Sequence, residues 1–246
     1  HARHVNAVAH GARRRLLTDK GLTVDKVLYL PNGADVDVYR PMDPVPGLRE
    51  RFGLDERPIA LYAGNHGFAH GLDILVDAAD RMRDEALQFV LVGDGSEKPR
   101  IQQLARERRL TNLSFHDPVP VQDVAALHSI SAVALVPCID SEHVRGTRSA
   151  KIFAAMACAV PMVCSAPGET ARLVEAGQAG IVTPVYDDAA FADAIRRLLH
   201  DQDLARQLGR NGRSFVERYF TWSAIVDSWL EQLERGQGPD LAAEVP

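Results

Sequence analysis

Cysteine is scarce: the 246 residues hold three, Cys138, Cys158 and Cys164. The number is odd, no two have metal-ligand spacing, and each lies in or beside an apolar run. That excludes a disulfide framework and a zinc ribbon, and predicts buried free thiols. A charge excess of the basic sign is missing too. With 28 basic and 33 acidic residues the net charge is -5, which excludes a general nucleic-acid-binding surface. No apolar run approaches the ~20 residues that span a bilayer, and the start His-Ala-Arg-His lacks the layout of a signal peptide. A cytoplasmic location is expected, with peripheral attachment at the inner membrane face left open for a full-length form. An initiator methionine is absent, which predicts a fragment or a processed chain. Among catalytic signatures there is no Gly-x-Ser-x-Gly elbow, no His-Glu-x-x-His helix and no P-loop ending in Gly-Lys-Ser/Thr. The nine histidines are scattered; His66 and His70 are four apart but have no third ligand near them, so no metal is expected.

What is present is a core and a rhythm. Hydrophobic residues make up 46% of the chain, enough for one large domain or one domain with pieces of another. From residue 58 onward, short β-branched and apolar runs alternate with stretches of helical period, the pattern of βαβ units on a parallel sheet. The class is α/β, a Rossmann-like parallel sheet with helices on both faces. Strands are predicted over 58–63, 87–92, 113–116, 132–137, 160–165 and 180–183. Helices are predicted over 71–82, 99–108, 121–128, 149–157, 169–176, 189–200, 203–218 and 222–234. Pro31-Asn32-Gly33 and then Pro41, Pro44 and Pro46 set off the first forty residues, where 5–9 and 27–30 read as strands and 10–17 as a helix. That piece is too small for a core of its own. Residues 236–246 read as a loose tail.

In open parallel sheets, ligands sit beyond the carboxyl ends of the strands. The loop Gly64-Asn65-His66-Gly67 follows such an end and leads into a helix, so its amides can face a phosphate or simply form a tight turn. The loop Gly93-Asp94-Gly95 follows another; its acid can accept from a hydroxyl or hold the turn. It is no dinucleotide fingerprint, because the third glycine position is Lys98. In Arg145-Gly146-Thr147-Arg148-Ser149-Ala150-Lys151, three cations and two hydroxyls precede a helix. An anion there would meet Arg148 as a bidentate fork and Lys151 as a point charge; the alternative is a solvated basic loop.

Together these segments resemble the retaining glycosyltransferase group-one family of GT-B fold, from about residue 5 to about residue 232. Leu30-Pro31-Asn32-Gly33-Ala34-Asp35 with Tyr39-Arg40-Pro41 is similar to the family's linker phrase, and Leu91-Val92-Gly93-Asp94-Gly95 to its second donor-domain loop. Lys151-Ile152-Phe153-Ala154-Ala155-Met156-Ala157 followed by Val160-Pro161-Met162-Val163 resembles the helix and strand that hold the donor nucleotide. Gly209-Arg210-Asn211-Gly212-Arg213 and Phe220-Thr221-Trp222 resemble its ending. Tyr62-Ala63-Gly64-Asn65-His66-Gly67 and Arg148-Ser149-Ala150-Lys151 look most like the bacterial branch that transfers UDP-linked N-acetylated amino sugars in polysaccharide assembly.

The resemblance implies a nucleotide-sugar donor, no cofactor or metal, and a glycan or lipid-linked acceptor. It implies four parts: 1–40 as the tail of an N-terminal acceptor domain plus linker, 41–219 as the donor-binding domain, 220–235 as a helix crossing back, and 236–246 as the tail. Most of the acceptor domain would then be missing, leaving exposed apolar surface where it docks. Arg148 and Lys151 become the catalytic candidates. Gly64, Asn65, His66, Gly67, Gly93, Asp94, Gly95, Pro118, Val119, Ser149, Ile152 and Ala154 become the donor-binding candidates. There are departures. Gly146 and Ala154 stand where most members carry two glutamates, the second of which contacts the ribose hydroxyls, and Ala159 stands where a glycine is usual. A weak or inactive nucleotide-sugar-binding module is therefore the alternative to a transferase, and the fragment alone is expected to be inactive. A UDP-sugar 2-epimerase matches the linker and the 151–157 helix poorly, and an NAD-dependent dehydrogenase fails at the glycine fingerprint.

Overall fold

The computed structural model describes residues 2–239. Strand β1 (Val5–Ala7), helix α1 (His10–Thr18) and strand β2 (Val27–Tyr29) form a small unit in which the two strands pair in parallel, Val5 opposite Val27. After a linker and a single turn of helix, α2 (Leu48–Arg51), the main sheet begins with β3 (Ile59–Ala63), a 3-10 turn (Phe68–His70), α3 (Asp73–Arg81), β4 (Gln88–Val92), α4 (Lys98–Glu107) and β5 (Leu113–His116). Helix α5 (Val121–Ser129) crosses to the far side of β3, where β6 (Val133–Pro137), α6 (Glu142–Arg145), α7 (Lys151–Ala157), β7 (Met162–Ser165), α8 (Glu169–Ala176) and β8 (Gly180–Val182) follow. Helices α9 (Asp188–His200), α10 (Gln202–Tyr219) and α11 (Trp222–Arg235) close the chain.

All six strands of the main sheet are parallel, in the order β5-β4-β3-β6-β7-β8. Strand order reverses between β3 and β6, and beyond their carboxyl ends the adjacent loops diverge to opposite faces and leave a crevice. The apolar runs are continuous because both faces are covered. Ala60, Tyr62, Phe89, Leu91, Val133 and Leu135 face one layer with α3 and α9. Their neighbours Ile59, Leu61, Val90 and Val92 face the other with α5, and Ala134 and Val136 pack there with α7.

The first forty residues fold against the rest. Gln232 of α11 accepts from the Tyr29 amide (2.7 Å) and donates to its carbonyl (2.9 Å), Trp229 Nε1 donates to Asn6 (2.9 Å), and Ala34 bridges to Thr221. Several boundaries differ from expectation by a residue or two, and two of the shifts have plain reasons. Helix α3 starts at Asp73, since the residues before it are spent on the 3-10 turn; β7 starts at Met162, since Pro161 has no amide for a ladder. The basic segment after β6 starts in a short helix, since Ser141 caps α6 by accepting from the Val144 amide (3.2 Å) and Arg145 closes it, while 146–150 lie outside any helix or strand. The tail expected over 236–246 lies outside the described residues from 240 onward. No helix among the described residues is long and apolar enough to cross a membrane.

Candidate functional site

Beyond β3 and β4 the chain turns through Gly64 (φ 144°) and Gly93 (φ 140°), backbone angles that a side chain would resist. A Cβ on Gly93 would run into the Gly64 carbonyl, so the two loops meet backbone to backbone. His66 N–H donates to the Asp94 carbonyl (2.7 Å) and Glu97 N–H to the His66 carbonyl (2.9 Å). Lys98, the residue that spoils the dinucleotide fingerprint, works as a clamp. Its buried Nζ donates to the Gly93 carbonyl (2.9 Å) and to Asp117 (2.7 Å), tying the second glycine loop to the segment that leads into Pro118 and Val119.

Lys151 comes to these loops from the first turn of α7. Gly64 leaves it room: a Cβ there would lie 2.5 Å from Lys151 Cε. The ammonium stands 3.3 Å from His70 Nδ1 and 5.1 Å from the centre of the Tyr62 ring, and makes no ion pair among the described residues. Burial pulls Lys151 down to about 8, with the Cys138 thiol opposing weakly. Burial, and then the Lys151 charge, holds His70 at about 4; burial, and then Lys98, does the same for His66. A half-buried lysine between neutral rings is short of negative charge, and an anion arriving there would raise its pKa and hold its proton more firmly.

A cavity of about 350 Å³ lies against the loops, walled by Gly64, Asn65, Gly93, Asp94, Pro118 and Val119, within the usual size of small-molecule sites. An inner chamber of about 200 Å³ adjoins it across Tyr39, Ala63 and Val124, which line both, and reaches His128, Ala150, Lys151 and Ala154. The sequence candidates Gly64, Asn65, Gly93, Asp94, Pro118, Val119, Lys151 and Ala154 are thus brought together. Others stand behind the wall. His66 is fully buried with both ring nitrogens unpartnered, Gly95 packs on His66, and Gly67 caps the 3-10 turn. Ser149 gives its amide to Thr170 Oγ1 (3.0 Å), and Ile152 is core.

The structure parts Arg148 from Lys151. Its side chain is 2% exposed and turned to the seam with the N-terminal unit, where Nε donates to Glu169 (2.8 Å) and a terminal nitrogen donates to the Tyr29 hydroxyl. Glu169 also accepts from the His10 (3.1 Å) and Gly11 amides at the start of α1, the end of a helix that favours an anion. A separate cavity of about 270 Å³ opens on this seam beside Arg14, Arg15, Arg145 and Arg148. Tyr39 and His128 carried no site role in the sequence. Tyr39 stood in the linker phrase, and His128 read only as the end of a helix.

The glycosyl transferases group 1 family model matches residues 47–215. Alpha-D-kanosaminyltransferase of Streptomyces kanamyceticus is 30% identical over 188 residues, which cover 73% of this chain and 46% of that protein. Sucrose-phosphate synthase from Thermosynechococcus elongatus superposes with a TM-score of 0.78 at 28% identity, over 96% of this chain and 58% of that one. Anabaena HepE, solved in complex with UDP-glucose, superposes with a TM-score of 0.82 at 20% identity, over 95% and 64%, a likeness of fold. The chain spans about half the length of the curated relatives it matches.

Proposed function

Because the chain belongs to the glycosyl transferases group 1 family, we propose that it is the donor half of a retaining enzyme that moves a sugar from a nucleotide diphosphate to an acceptor hydroxyl. The donor in this reading is a UDP-linked N-acetylated amino sugar, and the product a polysaccharide or glycoconjugate. One observation carries it: Lys151, uncompensated by any carboxylate among the described residues, packs on Gly64, the first of two facing glycine loops, and lines a chamber that adjoins a cavity of ligand size. Negative charge develops on the leaving diphosphate during transfer. A cation already held beside it lowers the barrier without reorganising; the Gly64, His66, Gly93 and Gly95 amides, expected from the sequence to face a phosphate, are instead spent within the loops and on neighbouring strands. Arg148 joins Lys151 only if Glu169 releases its guanidinium, and the acceptor is bound by a domain beyond this chain.

Calorimetric titration with UDP and UDP-N-acetylglucosamine tests the site. Lys151→Ala is expected to weaken both at least tenfold, since a charge-assisted contact contributes about 1.5–3 kcal/mol. Ala154→Glu is expected to tighten both at least tenfold, because the inner chamber has room for a carboxylate beside the nucleotide. If neither nucleotide binds the folded chain at millimolar concentration, the reading fails. A second reading, a nucleotide-sugar-binding module without transfer, draws on Ala154 and Gly146, the positions without carboxylates. Tight donor binding with no transfer or donor hydrolysis, once the chain is joined to its acceptor domain, would favour it.

A further inference from the structure

The inner chamber contains a polar group that diphosphate binding leaves unused. His128, at the end of α5, lines it with Tyr39, Val124, Ala134, Val136 and Ala154. The residue is 4% exposed and its Nδ1 is buried without a hydrogen-bond partner. Native structures rarely leave a buried polar atom unpaired, so this ring is short of a hydrogen-bond partner, and the chamber it borders is where a ligand can supply one. The rest of the wall is apolar except for Tyr39 and Lys151, and no carboxylate or carboxamide reaches it.

The order of groups in a nucleoside diphosphate then assigns the chamber. With the phosphates at Gly64, Gly93 and Lys151, the pentose that follows them has the inner chamber beside it, and its hydroxyls need a partner there. We propose that His128 recognises the pentose hydroxyls and is a specificity-determining residue, taking over a task for which this chamber offers no carboxylate. The proposal rests on the donor-site reading above. Burial keeps the ring neutral, with a pKa of about 4, so one nitrogen donates and the other accepts, and a hydroxyl can use either.

Titration of the chain with UDP and with 2′,3′-dideoxy-UDP, beside His128→Phe and His128→Gln, tests it. The native chain is expected to prefer UDP at least fivefold. In His128→Phe the ratio falls to within twofold through loss of UDP affinity alone, and His128→Gln regains part of it. In the native chain the ring nitrogen NMR signals of His128 shift on saturation with UDP and stay in place with the dideoxy compound, a readout that needs no variant to fold. A native ratio within twofold, a folded Phe variant that keeps the preference, or ring signals blind to UDP would each overturn the assignment while leaving the donor site standing. Failure of the native chain to bind either nucleotide at millimolar concentration would remove the donor site and this proposal together.

Discussion

Arg148 and Lys151 are three positions apart, a spacing that on a helix puts two side chains on one face. They diverge because α7 begins only at Lys151, after Ala150, so Arg148 precedes the helix and follows its own backbone to Glu169. That difference has measurable consequences. Arg148→Ala strands the Glu169 carboxylate beside Tyr29 in a buried seam and is expected to cost about 3–5 kcal/mol in urea unfolding. Lys151→Ala removes a cation that burial already disfavours, and should leave the unfolding free energy within about 0.5 kcal/mol of the native value. An Arg148→Ala chain of native stability would contradict the seam.

The buried histidines make a second residue-scale prediction. His66 and His128 are held at about 4, against 6.5 when unfolded, so between those values the unfolded chain binds protons that the native chain refuses. Stability is therefore lost as pH falls from 6.5 towards 4, by up to about 1.4 kcal/mol per pH unit for each ring. Urea midpoints at pH 7.5 and 5.0 check this, and His128→Phe should flatten the loss. The glycine loops were legible in the sequence because only glycine takes their angles. The role of His128 was not, since it depends on what lies across the chamber from α5.

At the scale of elements, the strands and longer helices could be read from period, while α2 and α6, four residues each, are too short to show one. The close crossing of α10 over α7 was legible only as a phrase, Gly209-Arg210-Asn211-Gly212. Its physical reason is that a Cβ on Gly209 would strike the Ala159 carbonyl. Gly209→Ala is accordingly expected to lower stability by about 1–3 kcal/mol. Ala159 itself sits at φ 54°, and Ala159→Gly should gain about 1 kcal/mol in the same denaturation series. Equal midpoints for both variants and the native chain would contradict this account of the crossing.

For the whole molecule, strand order could not be derived from periodicity, because pairing is decided by long-range packing. The pairing of β3 with β4 sets the two glycine loops side by side, and the reversal at β6 brings Lys151 to them as a candidate site. Trp222, Val226 and Leu230 expose an apolar stripe along α11, 43–50% accessible, on the helix that also binds the N-terminal unit. The donor-half reading gives that surface to the remainder of a longer protein. The central claim is that a nucleotide diphosphate settles between the two glycine loops and Lys151. Hydrogen exchange of the chain with and without saturating UDP tests it most directly. The account predicts slowed exchange over 63–67, 92–96 and 151–154 with the seam around 145–148 unchanged; protection confined to the seam, or none at the glycine loops, would contradict it.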